Sequence, residues 1–219
     1  LISGISETLI GQLSTTQATA LTPAQISALS ATQIGRLKGP ILQSLPANTI
    51  TVLSTAQLAA ISEYELYAVS TAVFFALTSS QVNALTPKQI GRLSTAQTAA
   101  LTTSNVQGLD LSNIGASQLA VLDPAEIAQL STGQLAALTP TNVVGLKTSQ
   151  LREIEASRIV GFETAEIASF DSTQLASLST SQLVNLLSAQ VAALTTANIG
   201  GLNTLGLSSA NIRGLETQD

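Results

Sequence analysis

Aliphatic residues return along this chain at alternating intervals of five and three. Starting from Ile5, one falls on every eighth position through Leu13, Leu21, Leu29 and so on to Leu109, with Ile61 and Val69 standing in for leucine. The phase then slips by five residues and resumes at Ile114. It runs through Leu122, Leu130, Leu138, Leu146, Ile154, Phe162, Phe170, Leu178, Leu186 and Leu194 to Leu202. A second five-residue unit, 202–206, precedes a last full octad at Leu207. Counting these starts gives 25 full octads, with phase breaks at 109–113 and 202–206. With the leading apolar residue as position 1, the consensus is L-[ST]-x-x-[QNE]-[ILV]-x-[AG]. Position 2 is Ser, Thr or Asp in 18 of the 25, and position 5 is Gln, Asn or Glu in 20. Position 6 is Ile, Leu or Val everywhere except at Ala18, Phe74 and Thr98.

That spacing predicts a helix start in every octad. A hydroxyl followed three residues later by Gln or Glu is a capping box, each side chain serving the other's backbone amide. Positions 1 and 6 then flank the first turn as a hydrophobic staple. Position 3 becomes the first helical residue, where proline is tolerated, and Pro23, Pro87, Pro124 and Pro140 all stand there. Glycines at positions 7 or 8, such as Gly35, Gly91, Gly108, Gly145, Gly161 and Gly201, are expected to end the turn. A helix of about six residues is unstable alone, because nucleation costs more than so few bonds return. A cap adds about 1 kcal/mol. Burying each aliphatic side chain adds roughly 1.5–3 kcal/mol. No octad stands alone on those terms, but a stack of them does.

The expected fold is therefore an all-α solenoid of short capped helical turns, one per octad, running as a single array over residues 1–219. Its handedness and the number of octads per turn stay open. A continuous helix is excluded, since an eight-residue period drifts by about 80° per repeat. The alternative is a β-solenoid with stacked apolar and hydroxyl ladders. Against it stand the five-three spacing, the abundance of Ala, Gln and Leu and proline at a fixed interior position.

Composition removes most chemistry. The chain has no Cys, His, Met or Trp, and its charged fraction is 10%. Thiol nucleophiles, imidazole bases and thiolate metal sites are absent with their residues. The net charge of −5 comes from 13 acidic and 8 scattered basic residues, which gives no basic stripe for nucleic acid. No apolar run is long enough to insert into a membrane. The serines and threonines are accounted for as caps. An acidic cluster, Glu153, Glu155, Glu163, Glu166 and Asp171, is interleaved with Lys147, Arg152 and Arg158 and reads as a solvated face with local ion pairs. No catalytic, cofactor-binding or metal-binding residue is expected, and the chain is not expected to be an enzyme.

Tyr64, Tyr67 and Phe75 stand apart. They occupy positions 4, 7 and 7 of two adjacent octads, where the consensus is small or polar. They read either as local overlap with a neighbouring coil or as an exposed contact patch for a protein or surface ligand, since contact anchors favour aromatics. Neither end carries a distinct polar cap of the kind solenoids need. The array is thus expected either to be part of a longer one or to associate head to tail, as open stacking would allow.

Strings such as Leu53-Ser54-Thr55-Ala56-Gln57-Leu58-Ala59-Ala60 and Leu85-Thr86-Pro87-Lys88-Gln89-Ile90 resemble the octapeptide arrays of large exported bacterial surface and adhesin-like proteins. The resemblance covers nearly the whole chain. It implies a bacterial extracellular or cell-surface location and a structural or adhesive role, as a stalk, a filament subunit or a binding module. It supplies no site residues.

Overall fold

The computed structural model describes residues 4–203 together with 206, 207, 209, 212 and 213. The second phase break and the octads after it lie largely outside the described residues. Among those residues every element is helical, and the β-solenoid alternative falls.

The capping box operates as the spacing requires. In the octad that begins at Leu53, Ser54 is extended (φ −65°, ψ 161°) and caps the helix Thr55–Ala60. Its Oγ accepts from the Gln57 amide at 3.3 Å, and its own amide donates to Gln57 Oε1 at 2.8 Å. Thr22 and Gln25, Thr86 and Gln89, and Ser179 and Gln182 repeat the arrangement. Proline follows the cap in the helices Pro23–Ser27, Pro87–Arg92 and Pro124–Ile127. Each helix stops within six residues because the next octad begins. Ile61, its position 1, returns to extended backbone (φ −66°, ψ 129°) and leads into the next cap.

Glycine does not end these turns in the way its position suggests. No described glycine has a positive φ, so the left-handed cap is not used. Glycine is required instead for close approach. A Cβ on Gly108 would lie 2.0 Å from the Ser79 carbonyl oxygen, and one on Gly145 would lie 2.2 Å from that of Ala116. Gly161 and Gly201 face Thr132 and Ser172 in the same way.

The chain divides into two compact units, Leu1–Leu109 and Asp110–Asp219, at the first phase break. In the first unit the α-helices stack in columns whose successive members start 24 residues apart, so three octads make one coil. Ala31–Ile34 packs on Thr55–Ala60, which packs on Ser79–Asn83. Gly39–Ser44, Glu63–Leu66 and Pro87–Arg92 form a second column, and Ala47–Ile50, Thr71–Ala76 and Thr95–Thr98 form a third. The second unit repeats the plan, with Ala116–Leu119, Pro140–Val143, Thr164–Ser169 and Ser188–Ala192 as one column.

Positions 1 and 6 face inward and make the core of each unit. Leu29, Ile34, Leu37, Leu53, Leu58 and Ile61 are all buried in the first. In the second, Phe162 and Phe170 lead consecutive octads and meet edge to face with centroids 5.2 Å apart, a favoured aromatic geometry. The short unit 109–113 opens the second half with a single turn, Leu111–Asn113, held by the Asp110 carboxylate on the Ser112 amide at 2.9 Å.

Candidate functional site

Position 5 carries the feature that most sets this fold apart. Ten of its thirteen glutamines are buried, and in the stacked coils both ends of the carboxamide are used. Oε1 accepts from the cap amide of its own octad. Nε2 donates to carbonyls of the preceding coil, 28 and 31 residues earlier. Gln89 reaches the Ile61 and Leu58 carbonyls at 2.7 and 3.0 Å, and Gln97 reaches those of Val69 and Leu66 at 2.8 and 3.1 Å. In the second unit Gln150 reaches Leu122 and Leu119, and Gln182 reaches Ile154 and Leu151, at 2.7–2.9 Å. Buried carbonyls must find donors, and position 1 has no helical partner for its own. The carboxamide supplies that partner and ties one coil to the next.

The sequence pattern assigns position 5 to capping alone. A signal was present. A capping box accepts Glu as readily as Gln, yet Gln stands here 13 times and Glu three. An ionised carboxylate only accepts, whereas an amide accepts at one end and donates at the other.

The aromatic residues are exposed, each by more than three-fifths. Tyr64 lies on Glu63–Leu66 and Tyr67 is the residue that closes that helix. Arg92, at the end of Pro87–Arg92 in the next coil of the same column, places its guanidinium carbon 4.2 Å from the Tyr64 ring centroid. Such a pair is worth about 0.5–1 kcal/mol at an exposed site. Tyr64, Tyr67 and Arg92 line one shallow cleft of about 200 Å³. Phe75 belongs to Thr71–Ala76 in another column and does not line it. The structure thus joins two of the three aromatics and adds a cation that sequence reasoning missed. The cation's partner stands 28 positions away in the chain, beyond any local pattern.

Below this cleft, Glu65 occupies position 5. Its carboxylate accepts from the Gly39 amide and pairs with the Lys38 ammonium at 3.6 Å. A carboxylate cannot donate, and an amide and a cation from the preceding coil meet it instead.

The acidic cluster does not form one face. Glu155 pairs with Arg158 at 3.1 Å, and Asp171 caps Ser172–Ser177 by accepting from the Gln174 amide at 2.7 Å. Glu153 and Glu163 are exposed. Glu166 is buried, which corrects its assignment to a solvated surface. The reason is its register: it sits at position 5, which faces inward. Arg158 also sits there and donates through Nη1 to the Ala128 and Leu130 carbonyls at 3.0 Å each. It plays the donor's part that glutamine plays elsewhere. Among the described residues no three acidic side chains converge as a metal site, and no helix is long and apolar enough to cross a membrane.

A family model described as the ALTTAQ repeat matches residues 65–95 and 167–204. Both stretches contain full octads, with Gln81, Gln89, Gln174, Gln182 and Gln190 at position 5. The chain is a helical repeat protein similar to that family over these stretches. No curated protein matches it.

Proposed function

We propose that this chain is a structural element of a bacterial extracellular or cell-surface assembly, a stalk or filament segment, with no catalytic role. The observation that carries the reading is the carboxamide ladder. It makes each coil a template for the next, with donors on one side and carbonyls on the other. Gln17 and Gln25, in the first coil of the described residues, are exposed and use only their Oε1 atoms, on the Ser14 and Thr22 amides. Their Nε2 groups are those that later coils direct at a preceding coil. Such donors suit a further coil of the same kind, whether from preceding sequence or from a second copy.

Negative-stain electron microscopy over a concentration series tests this reading. Fibres that lengthen with concentration, and that Gln17→Ala/Gln25→Ala abolishes, are expected. Discrete particles at every concentration would limit the chain to a spacer.

An adhesive module is the second reading, favoured by one observation: the Tyr64, Tyr67 and Arg92 cleft is exposed, aromatic and cationic together. If it is an anchor, Tyr64→Ser/Tyr67→Ser removes binding to immobilised protein or polysaccharide surfaces while the circular dichroism spectrum is unchanged. Phe75→Ser, in another column, serves as the comparison.

A further inference from the structure

The cleft between Tyr64, Tyr67 and Arg92 holds an arginine without a counterion. Arg36 and Arg158 each pair with a carboxylate, Glu7 at 3.2 Å and Glu155 at 3.1 Å. Arg92 makes no ion pair among the described residues. It lies over the Tyr64 ring instead. That contact holds the cation in place and leaves the N–H donors of the guanidinium to find acceptors elsewhere. Tyr64 and Tyr67 stand three apart on one turn and share the cleft. Among the described residues neither tyrosine hydroxyl has a hydrogen-bond partner.

The surroundings are positive on a chain whose net charge is −5. The three helices stacked here are Gly39–Ser44, Glu63–Leu66 and Pro87–Arg92. With the cap residue Lys38 they carry Lys38, Lys88 and Arg92 against Glu63 and Glu65, and Glu65 is matched by Lys38. Glu63 is half-buried. Lys88 is exposed and makes no ion pair among the described residues. It precedes Arg92 by four residues, which puts both on one face of their helix. It also holds the octad position that Tyr64 holds one coil earlier.

We infer that this cleft binds a carboxylated sugar ring of an acidic polysaccharide, an assignment that rests on the adhesive reading of the same cleft. The C–H face of a pyranose stacks on a tyrosine ring, whose negative face favours it. The sugar carboxylate takes the free N–H edge of Arg92 in a charge-assisted, two-point bond. The tyrosine hydroxyls meet sugar hydroxyls, and Lys88 draws the next charged ring of the polymer. Size favours a sugar over a protein partner. At about 200 Å³ the cleft is smaller than the roughly 300–1,000 Å³ of sites for drug-sized ligands and suits a single ring. Phe75, which would broaden it into an apolar patch, lies in another column, whereas a stable protein interface needs about 1,000 Å² or more with an apolar centre.

Biolayer interferometry of the full chain on immobilised polygalacturonate, alginate, dextran and poly-L-glutamate tests the inference, with circular dichroism confirming that each variant is folded. The two polyuronates are expected to bind, and binding should weaken as salt is added. Arg92→Gln is expected to lower affinity for them by about tenfold. Arg92→Lys should recover only part of the loss, because an ammonium does not make the two-point bond. Tyr64→Ser/Tyr67→Ser should remove binding. Equal binding to dextran, or no loss in Arg92→Gln, overturns the anionic ligand and leaves the anchor standing. Equal binding to poly-L-glutamate overturns the sugar in favour of an acidic protein. Binding to neither polyuronate overturns the inference outright, and loss of binding to protein surfaces in the tyrosine variant then judges the adhesive reading separately.

Discussion

Two of the coil joints in the first unit differ in the length of the arm that makes them. Where Gln89 makes the rung, the octad ends Gly91-Arg92, and position 8 carries a side chain. Where Asn105 makes it, position 8 is Gly108. The asparagine arm is one methylene shorter, yet it reaches the Leu77 and Phe74 carbonyls at 3.1 and 2.9 Å. The backbone has come closer, and a Cβ on Gly108 would sit 2.0 Å from the Ser79 oxygen. The same pairing returns in the second unit with Asn142 and Gly145, and with Asn198 and Gly201. Asn211 and Gly214 repeat it in sequence beyond the fully described region. All four position 5 asparagines in full octads are paired with a position 8 glycine. Wherever the arm is asparagine, then, the short arm and the close approach go together, in two residues three apart; Gly161, beside the longer Arg158, shows that the close approach also occurs without it.

The largest effect is expected from breaking that pairing on the glycine side. Gly108→Ala should destabilise by about 3 kcal/mol, because the new methyl meets backbone, which cannot rotate away. Chemical denaturation measures it. Gly133→Ala is the contrast: its Cβ would meet nothing nearer than Ser131 Oγ at 3.9 Å, so the helix gain of about 0.5–1 kcal/mol should appear as added stability.

Removing a long-armed rung comes next. Gln89→Ala leaves the Ile61 carbonyl without its donor and the Thr86 amide without its acceptor, at a cost of about 2–3 kcal/mol. A conservative change sharpens the point: Gln89→Asn alone should remain destabilised, since the shorter arm must reach the same carbonyls without a glycine at position 8. The corresponding coupling can be read from Asn105→Gln, Gly108→Ala and the double variant. The double is expected to be more stable than the sum of its parts by about 1 kcal/mol, in the range found for residues in one network.

A smaller, pH-dependent effect should follow at Glu126. Its carboxyl is raised by burial, so its contribution is complete below the ordinary carboxyl range and is lost as pH rises through its folded-state value. Glu126→Gln should therefore stabilise at neutral pH and make little difference in acid, as urea midpoints at the two pH values would show. The smallest effect is a lost cap. Ser54→Ala removes only the bond to the Gln57 amide and should cost about 1 kcal/mol.

The octad register, the caps and the inward faces of positions 1 and 6 were legible in the sequence because they depend on residues within six of each other. Ser54, Gln57 and Leu58 announce their helix locally. The three-octad coil was not legible, since it is fixed by bonds such as Gln57 to Leu29 that span 28 residues. Glycine was misread for a related reason. The rule for helix ends is local, whereas the demand on Gly108 comes from Ser79 in another coil. The aromatic patch was half legible: Tyr64 and Tyr67 share a turn, but Arg92 joins them only through stacking, and the same stacking sends Phe75 elsewhere. Glu166 looked like surface because charged residues usually are, and its register alone said otherwise.

The 24-residue spacing of stacked helices has a mechanical consequence. Within either unit, a chain pulled along the stack meets resistance mainly where one coil's side chains grip the coil before it. Yielding should therefore proceed one coil at a time. Each release of 24 residues would pay out about 80 Å of extended chain, and the chain would lengthen in steps under load before it parted.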